Sequence, residues 1–479
     1  MTYDPDNDPI LERIIAGTAA KRQPLPAPET ATLPANAPAD LFSDMRMAAA
    51  FAQRYQEIIR YWPEAGKFLF FDGRRWTTDL PGGAFPFIRE QIEHLYKTAI
   101  QCQDYEQRTA MMKAIFKLES HQRQETILSA VKVRPELIVT TADLDQHPML
   151  MTCNNGTLDL ATGTLRPSRA EDLLTRMTPI EYRPFNDCPV FEKFLDRILD
   201  GNQEVISFLQ RFIGYCLTGM TTEQVLLFLY GTGSNGKTVL ANVIGALIGD
   251  YGSTAESDLL MAQENRGSTN DVAKLRGSRL VKVSEFDDGE KLAEARIKTL
   301  TGGDPVTCRF LFREFFTYTP TYKILLIGNH KPKVRGTDHG IWRRLLLLNF
   351  NVTIQEGEKD PHLPSKLLAE LPGILSWAVQ GCLEWQQQGL AAPAEVRAAT
   401  TDYRKSEDTF EQWIDECCTR SADQVAGATE LLHSFIEYSK WKATSTNKFA
   451  RMLKEADSPV KDIVVSIAGE VSECQQEID

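Results

Sequence analysis

Residues 225–230 are an unbroken apolar run, Val-Leu-Leu-Phe-Leu-Tyr. It delivers the chain directly into Gly231-Thr232-Gly233-Ser234-Asn235-Gly236-Lys237-Thr238. No other stretch narrows the possible folds so far. A short apolar run that stops at glycine reads as a strand buried on both faces, and 239–248 reads as the helix after it. The pattern G-x-x-x-x-G-K-[ST] between a strand and a helix predicts a loop that cradles phosphates. Its glycines permit turns that a Cβ would block. Successive N–H groups then converge on an anion at the positive end of the helix. Lys237 adds a point charge for the β and γ phosphates, and Thr238 offers a hydroxyl to Mg2+. Gly231, Thr232, Gly233, Ser234, Asn235, Gly236, Lys237 and Thr238 are therefore the candidate nucleotide-binding residues.

Charge and composition limit what such a loop can serve. The net charge is −12, with a pI of about 5.3, so a contact with nucleic acid must be local, in a groove or channel. No apolar run reaches the roughly 18–20 residues that cross a bilayer. The acidic N-terminus lacks the layout of a signal peptide. Nine cysteines are scattered without C-x-x-C or zinc-ligand spacing. These features point to the reducing cytoplasm and no membrane partner.

Residues 1–40 hold seven of the 24 prolines and few large apolar residues, a composition that reads as a disordered tail. A mostly helical domain with small β pieces is expected over 41–220, with a helix at 48–59. A hairpin turns at Asp72-Gly73 and another spans 155–167. Residues 221–355 alternate helices with the apolar runs 225–230, 279–286, 322–329 and 343–350, the mark of a parallel α/β core. A helical connector is expected over 356–427 and a small α-then-β unit over 428–479.

The strand at 279–286 ends in acids, where folds of this kind hold Mg2+ and polarise water. Glu285 is the candidate base and Asp287 a candidate on the metal side, although a solvated turn would also explain Asp287-Asp288-Gly289. Asn329 ends the strand at 322–329 and is a candidate γ-phosphate sensor. Paired arginines follow in Gly340-Ile-Trp-Arg343-Arg344. Either could serve as a finger that stabilises charge on a phosphoryl group held by a neighbouring subunit.

The succession GTGSNGKT, RLVKVSEF, IKTLTGGDPVTCRFLFREFFTYTPTYKILLIGNHKP and GIWRRLLLLNF resembles the superfamily 3 helicases. More narrowly, it resembles the helicase part of phage and plasmid primase–helicases and their poxvirus relatives. KFLFFDGRRW and NGTLDLATGTL look like the domain that precedes the helicase in that family, and YSKWKATSTNKFARMLKEA like its winged-helix tail.

The resemblance implies an AAA+-like P-loop ATPase core with ATP and Mg2+ between the subunits of a ring, usually a hexamer. It matches Lys237 and Thr238 to the phosphate loop, Glu285 to the acidic motif, Asn329 to the sensor, and Arg343 or Arg344 to the finger, with Arg344 favoured. It places a DNA-gripping pore hairpin on 302–320, with Arg309 and Arg313 as cations, Phe310 among the interleaved aromatics and Lys298 just before it. Repeated around a ring, these cations remove the objection from net charge. Many members carry two adjacent acids where this chain has Ser284-Glu285, and large members carry an upstream primase. The expectation is therefore no primer synthesis by this chain and a separately encoded primase as a partner.

Lys448 and Arg451 belong to a locally basic stretch that reads either as a helix-turn-helix with a wing on DNA or as plain packing. The expected function is an ATP-dependent ring helicase for replication of a phage, plasmid or integrated element, acting on single-stranded and forked DNA. The alternative is a P-loop ATPase that binds origins or acts as a scaffold without unwinding. A guanine-specific enzyme is disfavoured, because Asn329-His-Lys-Pro332 lacks the acid that would read guanine. A small-molecule kinase has no need of paired arginines or an Arg/Phe hairpin.

Overall fold

The computed structural model describes residues 42–78, 82–262, 269–284, 286–309, 314–334, 339–420, 426–439, 449–450, 453 and 463–465. Near the N-terminus, helix Asp44–Tyr55 leads to an antiparallel sheet of β1 (Ile59–Trp62), β2 (Lys67–Phe71) and β3 (Trp76–Thr77). The helix expected over 48–59 thus begins and ends earlier. Ile59 and the aromatics after it pair with the aromatic β2 instead, in the register Ile59 to Phe70, so cross-strand packing outweighs helical spacing. The turn expected at Asp72-Gly73 joins β2 to β3. The Asp72 carboxylate accepts from the N–H groups of Arg74 and Arg75, both at 2.9 Å, an Asx turn. Helices Phe85–Ile100, Tyr105–Phe116 and His121–Val131 complete a core around Phe51, Tyr55, Phe87, Ile115 and Ile127.

Residues 150–217 pack elsewhere. The meander β4 (Leu150–Cys153), β5 (Gly156–Asp159) and β6 (Thr164–Arg166) contains the second expected hairpin. Helices Pro189–Ile198 and Gln203–Leu217 follow, and both join the core that holds residues 225–251 and 367–396. Buried clustering thus divides the stretch 41–220 in two. The cause is helix Gln203–Leu217, whose residues from Arg211 to Leu217 are all buried, so that this half must be covered on every side. Its Gly214 lies against helix Leu371–Gln388, where an added Cβ would stand 2.6 Å from the carbonyl oxygen of Ala378.

The central sheet has five parallel strands in the order β13-β7-β12-β9-β8. These are β7 (Leu226–Tyr230), β8 (Gly252–Ala255), β9 (Leu280–Ser284), β12 (Lys323–Gly328) and β13 (Leu345–Asn349). Four of them are the apolar runs read from the sequence. The fifth, β8, is Gly-Ser-Thr-Ala at the sheet's edge, where burial on both faces is not required. Between β9 and β12 stands an antiparallel hairpin of β10 (Val306–Cys308) and β11 (Phe316–Tyr318).

Two buried basic side chains fasten helix Gln203–Leu217 to the sheet. Arg279 donates to the carbonyl of Leu217 at 2.5 Å and that of Leu150 at 2.6 Å. Lys323 donates to the carbonyls of Thr218 and Met220 and lies 4.7 Å from the Tyr215 ring. They meet the negative end of the helix, whose last carbonyls need donors.

Toward the C-terminus, helix Thr409–Cys417, helix Ala428–Ser439 and residues 449 and 453 share a core of Phe410, Trp413, Phe435 and Phe449. Strand β14 (Cys418–Arg420) pairs antiparallel with β15 (Ile463–Val465). This packing unit reaches back to 409, before the boundary expected at 428. Lys448 and Arg451 lie outside the described residues.

Candidate functional site

Because the five strands are parallel, all their C-terminal ends share one edge. Tyr230 is level with Gly328 of β12 and Asn349 of β13, and Ser284 is level with Ile327. That register alone gathers the loop at 231–238, the acids after β9 and Asn329. Such an edge is where open α/β sheets take their ligands.

The loop is built for close approach. Ser234 and the glycines Gly233 and Gly236 all have positive φ, and helix Lys237–Ile248 starts directly afterwards. At Gly236, with φ +83, a side chain would be strained and would also meet Ile198 at 2.6 Å. Lys237 is 4% exposed. Its ammonium donates to the Gly231 carbonyl at 2.7 Å and to the Asn235 side-chain oxygen at 2.9 Å. An ammonium has three donors, so these bonds hold it in place and leave one donor over. Burial pulls its pKa below the ordinary lysine value, and an anion beside it would reverse that shift. Asn235 is buried and also donates to the Phe350 carbonyl at 3.4 Å, tying the loop to the end of β13. Its side chain braces the loop from within. Thr232, Ser234 and Thr238 are exposed, and Thr238 presents its hydroxyl in the first turn of the helix.

Glu285 lies outside the described residues. Its neighbour Phe286 packs against the Phe228 ring at 6.0 Å, which fixes the chain's path off β9, and Asp287 follows, exposed. Asn329 is exposed directly after β12. Thr238 and Asp287 are oxygen donors suited to Mg2+, which takes few protein ligands and keeps water and phosphate for the rest. Among the described residues no group of three His, Cys, Asp or Glu side chains could hold a metal.

One cation at this edge escaped the sequence reading. Lys331 lies 4.8 Å from the Tyr230 ring and 5.4 Å from that of Tyr403, whose hydroxyl bonds the Pro332 carbonyl. Its signal was its place two residues after Asn329.

The paired arginines sit at the other edge. They precede β13, whose first residue Leu345 is level with Leu226, while the loop at 231–238 follows Tyr230 at the far end. A five-residue strand separates the two positions, roughly 15 Å. Arg344 is 9% exposed, and its guanidinium donates to the Gly340 carbonyl at 2.7 Å. Arg343 is exposed and donates to the Gln224 side-chain oxygen at 3.1 Å. The accessible arginine of the pair is therefore Arg343, where the sequence reading favoured Arg344. Alternation at the strand start turns one inward and its neighbour outward.

The same Gln224 donates to the Gly302 carbonyl at 2.9 Å, in the turn that leads to the β10–β11 hairpin. Lys298 is half-buried in helix Glu294–Thr301 just before that turn. On the hairpin, Arg309 is exposed and lies 4.6 Å from the ring of Phe315, itself 60% exposed. Phe310 and Arg313 fall outside the described residues. Among the described residues no helix is long and apolar enough to cross a membrane.

Residues 48–200 match the family described as D5 N terminal like, and residues 229–344 match a family of unknown function. A mimivirus protein named "Putative helicase L207/L206" is 26% identical over 330 residues, covering 64% of this chain and 34% of its own length. An African swine fever virus protein named "Putative primase C962R" is 25% identical over 355 residues, 67% of this chain and 36% of its own. Frog virus 3 has a protein named "Putative helicase 022R", 22% identical over 378 residues, 62% of this chain and 39% of its own. The chain thus spans little more than a third of these relatives. A solved structure of the apo NrS-1 C terminal region aligns at a TM-score of 0.48 and 10% identity, covering 86% of this chain and 85% of that one.

Proposed function

We propose that this chain, a relative of the superfamily 3 helicase part of the primase–helicases, is an ATP-driven motor that moves on single-stranded DNA within a ring of identical subunits. The observation that carries this reading is the division of labour between the two sheet edges. One edge gathers the phosphate loop, the acidic strand end and Asn329. The other carries Arg343 and the β10–β11 hairpin.

Arg343 lies a strand's length from the loop of its own subunit. A finger there reaches a phosphoryl group only across an interface, so the site is complete only when a second copy docks. A ring, hexameric in the reading of the family, supplies one such interface for each subunit.

Bound Mg-ATP would supply the phosphoanhydride to be cleaved and the metal charge on its β and γ oxygens. The loop N–H groups and Lys237 hold the phosphates, and Thr238 with Asp287 lies on the metal side. Glu285 takes the proton of the attacking water, and Asn329 orients that water. Arg343 of the adjoining copy stabilises the charge that builds on the γ oxygens. Gln224 contacts both Arg343 and the turn before the hairpin, so a shift of the finger is passed to the hairpin stem. There Arg309 and Arg313 grip the strand's phosphates while Phe310 and Phe315 stack on bases.

Lys448 and Arg451 provide a further DNA contact from the C-terminal unit, and a separately encoded primase is the partner expected at a replication fork. The decisive measurement is strand displacement on forked DNA with ATP, with Lys237→Ala as the blank. Unwinding by the wild type alone supports the motor. DNA-stimulated ATPase without displacement favours the origin-binding alternative, and no response to DNA overturns the reading.

A further inference from the structure

Between the β1–β3 sheet and the start of β9 lies a cleft of about 490 Å³. It opens near the N-terminal ends of β8 and β9, the opposite edge of the sheet from the phosphate loop. Its walls come from three separated parts of the chain. Trp62, Arg75 and Trp76 belong to the small antiparallel sheet, Asp145 and Arg176 flank the meander, and Asp250, Lys274 and Arg276 belong to the motor core.

The charges in this cleft do not cancel locally. Four cations line it against two acids, and both acids are already engaged. Asp145 accepts from the N–H and hydroxyl of Thr175, at 2.8 and 2.5 Å. Asp250 is paired with Arg75, and its backbone carbonyl accepts from Arg176. The carboxylates of Asp145 and Glu64 favour the charge on Arg276, and Lys274 is exposed.

Arg276 has an unusual setting. Its guanidinium lies 5.4 Å from the Trp62 ring and 5.8 Å from the ring of Phe316 on the pore-hairpin strand β11. Its in-plane N–H donors have no hydrogen-bond partner among the described residues. A guanidinium held by rings with its fork open is pre-set to take a phosphate in two parallel hydrogen bonds. The Trp62 indole N–H is anchored on the Thr141 hydroxyl at 2.9 Å, so the ring's orientation is fixed too.

Trp62, Arg276 and Phe316 form one aromatic–cation cluster. The Arg309–Phe315 pair belongs to the other face of the hairpin, because Phe316 is level with the buried Cys308 and successive strand residues alternate. Alternating rings and cations along a groove are how proteins hold a single strand without reading its sequence. We propose that this cleft is a second binding station for single-stranded DNA. There Arg276 and Lys274 take a backbone phosphate and Trp62 meets a base. This rests on the reading of the chain as a motor on single strands. The same chemistry would fit a free mononucleotide, and the test separates the two.

The probe is a single-stranded oligonucleotide of about 20 nucleotides, long enough to span both stations, carrying iododeoxyuridine. It is photo-cross-linked to the full chain, and the adducts are mapped by peptide mass. The expected result is adduct at Trp62 as well as on the hairpin, not suppressed by excess thymidine monophosphate. Lys274→Glu should weaken binding of the same oligonucleotide about tenfold. Because Lys274 is exposed, its thermal unfolding midpoint should stay at the wild-type value.

Adducts confined to the hairpin, with unchanged affinity in Lys274→Glu and Trp62→Ala, would overturn the second station and leave the motor standing. Suppression by thymidine monophosphate would overturn it in favour of a mononucleotide pocket. Failure of the wild type to bind any single strand would remove the motor reading as well, and affinity alone reveals that outcome.

Discussion

The two edges of the central sheet are assembled in opposite ways. Where the strands end, the proposed phosphate contacts come from eight consecutive residues, 231–238, and only the acidic strand end and Asn329 must be brought in. Where the strands begin, Gln224, Gly302, Arg343 and Phe316 come from four separated segments, and Trp62 joins them from another core. Phosphate binding needs backbone N–H groups in succession, which a contiguous loop supplies. Passing a signal between subunit, hairpin and strand needs surfaces in contact, which no contiguous segment supplies. Substitutions at the first edge should therefore abolish chemistry, while those at the second should uncouple it.

The largest expected effect is at Lys237. Lys237→Ala removes both a phosphate contact and a charge on the transferring group, so steady-state ATPase should fall by about ten-thousandfold. A residual rate above a tenth of wild type would mean that the loop edge is misassigned.

Next is the arginine pair, where the comparison is sharpest. Arg343→Ala should lower ATPase by about a thousandfold, and mixing it with Lys237→Ala subunits should restore part of the rate. Arg344→Ala should instead lower the unfolding temperature, because it strips a buried guanidinium from the Gly340 carbonyl. Rescue on mixing seen with Arg344→Ala alone would reverse the assignment.

A smaller effect is expected on the hairpin. With Arg309→Ala and Arg313→Ala together, the ratio of DNA-stimulated to basal ATPase should drop about tenfold. Undiminished binding of single-stranded DNA would sink the hairpin's role.

The smallest effect on rate is expected at Lys323, which serves stability. Burial pulls its pKa down from 10.5 to about 7. Between those values the unfolded chain binds the proton and the folded one does not, so stability should rise with pH through that window. Lys323→Met should flatten this rise in thermal melts run at pH 7 and pH 9. An unaltered slope would show that Lys323 stays charged on the carbonyls of Thr218 and Met220.

What could be read beforehand follows from how each residue is constrained. β7, β9, β12 and β13 were legible because a strand covered on both faces must be apolar along its length. β8 was not, because an edge strand of Gly-Ser-Thr-Ala carries no such mark. Asn329 was legible as the polar residue that stops an apolar run. Arg343 and Arg344 are chemically identical neighbours, and only the direction in which the chain joins β13 makes one exposed and one buried.

The sequence by itself therefore determined the parallel α/β core and the loop at 231–238, because both are written in adjacent residues whose type follows from burial or from backbone freedom. Tertiary structure decided the rest. It divided 41–220 between two cores, chose which arginine faces outward, and set Arg276 beside Trp62 and Phe316. These depend on contacts between residues far apart in the chain. A one-dimensional pattern records that a side chain is apolar or charged, and packing alone determines which partner it meets.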